Sequence, residues 1–162
     1  MTSAIHTHRS LCVIVATILL CVVGRGAFAQ SCDAPKPNFT ISPPPASAGP
    51  VAESFSGAWA GTWLLRGVGA GNRILQCARI YVSVKDSQNA TVVYCYGSRS
   101  DVGTAPQCDN PYRAIFRGPY LIFVTSVGVN ISLIMQGGPG TAQVTESFQS
   151  GQTSVVTDFQ KL

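Results

Sequence analysis

Four cysteines, Cys32, Cys77, Cys95 and Cys108, carry the clearest covalent chemistry in this chain. In an exported protein an even count reads as two disulfides. The preferred pairing joins Cys95 to Cys108, stapling one loop, and Cys32 to Cys77, tying the N-terminal segment to the body. Cys77–Cys95 across adjacent strands is the closest rival. A zinc site has little to build on, because there is no C-x-x-C and both histidines, His6 and His8, lie in the first ten residues. The same lack of a downstream histidine leaves the many serines without a base, so a nucleophilic triad is not expected. Paired carboxylates of the glycosidase kind remain conceivable on residue type, yet Asp33, Glu53, Asp86, Asp101, Asp109 and Asp158 mostly fall in turns or the N-terminal segment. Glu146 differs, because Val144 and Phe148 flank it on one face of a strand. It either points inward as a ligand-binding carboxylate or faces out while Gln143, Thr145 and Ser147 line the interior weakly; the outward reading is the simpler expectation. Tyr94, Tyr96, Tyr112, Phe116, Tyr120 and Phe123 form an aromatic middle. With Glu146 they are the candidate ligand-contacting residues, apolar walls with hydroxyl handles. No catalytic residue, cofactor or metal is expected.

The first thirty residues set the compartment. Arg9 precedes an apolar run, Leu11–Val23, and Ala27-Phe28-Ala29 follows. That order is a secretory signal with an A-x-A cleavage site. The run falls short of the roughly 20 residues a bilayer span needs, so no stable membrane insertion is expected after its removal. The expectation is a signal peptide over 1–29 and a secreted or periplasmic mature chain. Cys12 and Cys21 leave with the signal, as do Arg9 and Arg25. The remaining cations nearly balance the 7 acids, which does not suggest a nucleic-acid partner.

Residues 30–54 hold Pro35, Pro37, Pro43, Pro44, Pro45 and Pro50. Proline fixes φ and removes a donor, so neither helix nor central strand is expected there, and the segment reads as an extended tether. From Phe55 the texture changes to short β-branched and aromatic runs between turn residues. Eight strands are expected: 58–66, 74–84, 91–97, 112–117, 120–125, 129–136, 142–149 and 153–160. Alternation gives one apolar face each, such as Ala78, Ile80, Val82 and Val84 in the second strand, and Val129, Ile131, Leu133 and Met135 in the sixth. The fold class is therefore all-β, an eight-stranded antiparallel up-and-down barrel over 55–162, with a two-sheet sandwich as the alternative. Only the connector 98–111 exceeds a tight turn, and it is the natural cover for one mouth of the barrel. Gly67-Val68-Gly69-Ala70-Gly71 reads as a hairpin connector, since neither a helix nor a Lys-Ser/Thr pair closes it as a phosphate loop. Asn38-Phe39-Thr40, Asn89-Ala90-Thr91 and Asn130-Ile131-Ser132 match glycosylation acceptors and read as chance matches.

The run Phe55-Ser56-Gly57-Ala58-Trp59-Ala60-Gly61-Thr62-Trp63 resembles the opening of calycin-type (lipocalin/avidin-like) barrels, in which G-x-W begins the first strand. With Val92-Val93-Tyr94-Cys95-Tyr96-Gly97 it also resembles small exported bacterial domains that pair F-x-G-x-W-x-G-x-W with V-V-Y-x-x-G. The resemblance implies a barrel plugged at one end by Trp59, with Trp63 as a second structural tryptophan. The arginine that lipocalins place over that ring has Lys161 as its only counterpart near the last strand, and no ligand residues are carried over.

Two functions remain open on this reading. One is a non-enzymatic binding protein holding a small apolar or amphipathic ligand inside the barrel. The other is an extracellular interaction or inhibitor module that sets the 98–111 loop on a protein partner, with a filled core.

Overall fold

The computed structural model describes residues 32–66, 73–137, 140–148 and 153–162. The signal-peptide expectation and the Gly67–Asn72 connector lie outside the described residues. Eight strands close into an antiparallel barrel. They are β1 (Gly57–Arg66), β2 (Arg73–Val84), β3 (Asn89–Tyr96), β5 (Tyr112–Arg117), β6 (Tyr120–Val124), β7 (Asn130–Met135), β8 (Thr141–Ser147) and β9 (Thr153–Lys161). A two-residue strand, β4 (Gln107–Cys108), adds to the outside of β3. Neighbouring strands pair from β2 through β1, β9, β8, β7, β6 and β5 to β3, and β2–β3 closes the ring. Closure leaves no free edge in the main sheet.

Alternation does what the sequence implied. Ala78, Ile80, Val82 and Val84 of β2 and Val129, Ile131 and Leu133 in and before β7 are buried in one core with Trp59, Trp63, Leu121, Phe123 and Phe159. Trp59 lies at the end where β1 begins, and its indole Nε1 donates to the Phe55 carbonyl at 2.9 Å. The Lys161 ammonium stands 5.4 Å from the centroid of the Trp59 ring, a cation–π contact. Trp63 lies two alternations further on, against Phe159 with ring centroids 5.5 Å apart. Gly61 makes that packing possible, because a Cβ there would fall on the Phe159 ring.

The proline-rich segment departs from expectation. A short helix, α1 (Gly49–Phe55), forms inside it. Pro50 sits in the first turn, where its missing N–H has no helical partner to lose, so the residue that seemed to forbid a helix starts one. Ala52 and Phe55 turn inward and close one end of the barrel, here called the helix end. Upstream, Ala34, Phe39 and Ile41 pack on Tyr81, Val93 and Cys95, whose side chains face outward from β2 and β3. Ser42 N–H donates to the Ser83 hydroxyl at 3.3 Å. Residues 32–48 thus run as a strap along the outer wall of β2–β3, from the opposite end to α1.

The two disulfides are Cys32–Cys77 and Cys95–Cys108. Both bridges stand on the outer side of β2–β3, near the end away from α1. Cys95 and Cys108 are direct register partners on β3 and β4, with Cα atoms 3.9 Å apart.

Candidate functional site

The end opposite α1, here called the loop end, gathers most of the polar chemistry. Residues 98–111 leave β3 there and return to β5. Several independent contacts hold this loop. The Cys95–Cys108 bridge pins its second half. The Asp109 N–H donates to the Tyr94 carbonyl at 2.8 Å, extending the β3–β4 pairing. Arg99 and Thr104 exchange backbone hydrogen bonds at 2.9 and 3.0 Å, closing a small hairpin within the loop. Across it the Arg99 guanidinium pairs with Asp101 in fork geometry, Nε to Oδ1 at 3.1 Å and Nη2 to Oδ2 at 2.7 Å. That pairing holds the guanidinium protonated more firmly than usual. Gln107 Nε2 donates to the Tyr96 hydroxyl.

The strap anchors the loop from outside. The Asp33 carboxylate accepts from the Ser98 N–H at 3.0 Å and from the Ser98 hydroxyl at 2.5 Å. These bonds hold the carboxyl below its ordinary range, the hydroxyl contributing most. Gly97 is required beside them, because a Cβ would strike the Asp33 carboxylate and sit 2.8 Å from the Cys77 sulfur.

Beneath the loop lies an aromatic layer. Tyr94 points inward from β3, buried, and its hydroxyl accepts from Trp63 Nε1 at 2.8 Å. Burial pushes its phenol far above the ordinary value. Its ring centroid lies 5.7 Å from Tyr96 and 6.4 Å from Phe123. Tyr112 stacks on Phe123 at 5.8 Å. The Tyr112 hydroxyl donates to Asp109 at 2.8 Å and accepts from the Ser126 N–H at 3.2 Å. Partial burial raises this phenol as well, against the opposing hydrogen bonds from Ser126.

Glu146 is the main correction to the expected faces. Ala142 and Val144 of β8 are buried in the core, and Glu146 shares their alternation, so it turns inward. Gln143 and Thr145 take the outer side. Burial raises the Glu146 carboxyl above its ordinary range, and the charge of Arg99 opposes that rise. The loop and the β8 carboxylate therefore interact electrostatically across the mouth.

Of the seven candidate residues, five gather at this end: Tyr94, Tyr96, Tyr112, Phe123 and Glu146. Phe116 instead faces the helix end, 5.7 Å from Phe55. Tyr120 is on the outer wall, exposed beside its register partner Ile134. Sequence reasoning named the loop as a mouth cover and the Cys95–Cys108 bridge as its staple, but none of its hydrogen-bonded anchors. Arg99–Asp101 at two residues' separation was a readable signal for a closed turn. Asp33–Ser98, 65 residues apart, carried none.

Among the described residues no group of three His, Cys, Asp or Glu side chains comes together as a metal set. No described helix is long and apolar enough to cross a membrane. No known family model matches the chain, and no curated protein is similar to it by sequence.

Proposed function

We propose that this is an exported, non-enzymatic interaction module that presents its loop end to a protein partner. The single observation that carries the reading is the 98–111 loop itself, tied to a closed barrel by a disulfide, a strap carboxylate and a β3 carbonyl. A loop fixed in one conformation on a rigid scaffold loses little entropy when it binds, which is how recognition surfaces gain affinity. The large apolar core favours this reading over a ligand held inside. Trp59, Trp63, Phe123, Phe159, Leu121, Ile131 and Leu133 are all buried in one core, and eight strands enclose little more than such side chains need.

Export fits two disulfides and the leader-like first thirty residues. The calycin-like kinship draws support from the barrel itself, from Trp59 plugging one end and from Lys161 over its ring.

The test replaces residues 99–106 with a Gly/Ser linker and keeps Cys95 and Cys108. Both proteins are recovered from their own host and analysed by native mass spectrometry. The intact protein is expected to carry a protein partner that the loop variant loses at least tenfold. A partner retained equally by both, or a small molecule enclosed in the barrel and no partner, would overturn the proposal.

A further inference from the structure

The outer wall of β2–β3 brings four cysteines together. Cys32, Cys77, Cys95 and Cys108 pack in one cluster around buried Ala34 of the strap. The Gly97 N–H donates to the Cys77 carbonyl at 2.8 Å, which sets Cys77 beside Gly97, and Cys95 is the register partner of Arg79. Cys77 and Cys95 are therefore diagonal neighbours on one face of adjacent antiparallel strands. The Cys77 sulfur leans over β3, since a Cβ at Gly97 would lie 2.8 Å from it.

Two residues of the strap lie between the bridges. The Ala34 N–H points to the Cys77 sulfur at 3.4 Å, and the Pro35 carbonyl oxygen stands 3.7 Å from the Cys108 sulfur. The Asp33 carboxylate lies 3.3 Å from the Cys77 sulfur. Burial separates the bridges as well. Cys95 is fully buried, whereas Cys32, Cys77 and Cys108 are partly exposed. A soluble reductant thus meets the loop bridge only at Cys108. Diagonal partners in a sheet stand about 7–8 Å apart, at the outer limit for a disulfide. With Cys32 fastened, the strap backbone keeps the two bridges apart. With Cys32 released, Ala34 and Pro35 are free to lift and the strand ends to close that gap.

We propose that the four cysteines form a thiol–disulfide relay, in which reduction of Cys32–Cys77 opens Cys95–Cys108 and unfastens the 98–111 loop. A dithiol supplies the electrons. The Asp33 carboxylate repels an incoming thiolate at Cys77, so the attack falls on the Cys32 sulfur and displaces Cys77 as a thiolate. The second thiol of the reductant resolves the mixed disulfide, leaving Cys32 as a thiol and the dithiol oxidised. The Cys77 thiolate then attacks the Cys95 sulfur. A Cys77–Cys95 bond forms, the Cys95–Cys108 bond breaks, and Cys108 leaves as a thiolate that takes a proton from water. This second step transfers no net electrons. Like charge from Asp33 disfavours a resting thiolate at Cys77, which drives it toward the disulfide and loosens the Asp33–Ser98 brace. The relay belongs to the wall and stands whether or not a protein binds the loop.

The oxidised protein is treated with one equivalent of dithiothreitol at about pH 8, where thiols are partly ionised. Samples are quenched with iodoacetamide at intervals and digested for disulfide mapping. A Cys77–Cys95 peptide is expected, with Cys32 and Cys108 alkylated. Two variants isolate the internal thiol, Cys32→Ser and Cys32→Ser/Cys77→Ser, because both lack the strap bridge and only the first keeps Cys77. In excess dithiol, alkylation of Cys108 is expected to be about tenfold faster in the single variant than in the double one. Near-UV circular dichroism of Trp59 and Trp63 shows that each variant is folded; if one is not, the parent time course carries the test alone. The relay is overturned if Cys32 and Cys77 are both alkylated while Cys95–Cys108 persists, or if Cys108 is alkylated before Cys32. It is equally overturned if Cys77 is found bridged to Cys108, or if the two variants open the loop bridge at equal rates.

Discussion

At the residue scale two positions state the account most sharply. Gly61 owes its identity to Phe159, whose ring occupies the place of a Cβ. Gly61→Ala should therefore cost about 1–3 kcal/mol by overpacking, read as a lower urea midpoint with an unchanged slope. Nothing in the sequence marked this, because the glycine's partner lies on the last strand. Glu146 makes a prediction with a sign. Burial holds its carboxyl protonated to higher pH than in the unfolded chain, and the charge of Arg99 opposes that rise. Its contribution to stability is thus fully present below the unfolded pKa and is lost as pH rises through the raised folded value. Glu146→Gln should match the parent at about pH 3 and exceed it in stability at pH 7. A variant less stable than the parent at pH 7 and equal at pH 3 would show the carboxylate to be favourably held instead. The inward turn of Glu146 was half legible. Val144 shared its face, but a lone acid between apolar neighbours reads equally well as the solvated side of the strand until Ala142 is seen buried.

At the scale of elements, the barrel strands were legible because period-two alternation and turn residues repeat along the whole body, and each strand has one buried face. The expected and observed strands differ by a residue or two at their ends. The short elements were not legible. β4 has two residues and exists because Cys108 and Gln107 pair with Cys95 and Tyr96. The helix α1 is seven residues long, too short for periodicity, and Pro50 with the prolines before it argued against it. Its stability comes from tertiary contact, Phe55 against Phe116 and the Trp59 indole on the Phe55 carbonyl. Phe55→Ala should cost about 3–5 kcal/mol, measured by chemical denaturation, and should raise hydrogen exchange at Trp59 Nε1. The disulfides act on larger loops. Removing Cys95–Cys108, which closes 13 residues, should cost about 3 kcal/mol. Removing Cys32–Cys77, which closes 45, should cost about 4 kcal/mol in the same loop-entropy treatment. If the smaller loop proves the costlier, the strap contributes through contact and not through chain entropy.

At the scale of the whole molecule, the described strands form a closed barrel with two different ends. The helix end is closed by Phe55, Trp59 and α1. The loop end is covered by a segment whose anchors come from β3, the strap and the loop itself. The strap joins the two, so that the N-terminal segment read as a tether also braces the 98–111 loop through Asp33 and Ser98. On the proposed reading the core side chains serve packing and the outer surfaces serve function. The central claim is that the loop end is where a protein partner binds, and site-specific photo-cross-linking tests it most directly. One probe replaces Val102, exposed at the tip of the loop, and a second replaces Val156, equally exposed on the wall of β9. Irradiated in the native host, the Val102 probe should yield a defined protein adduct and the Val156 probe none. Equal adducts at both positions, or none at either, would contradict the account.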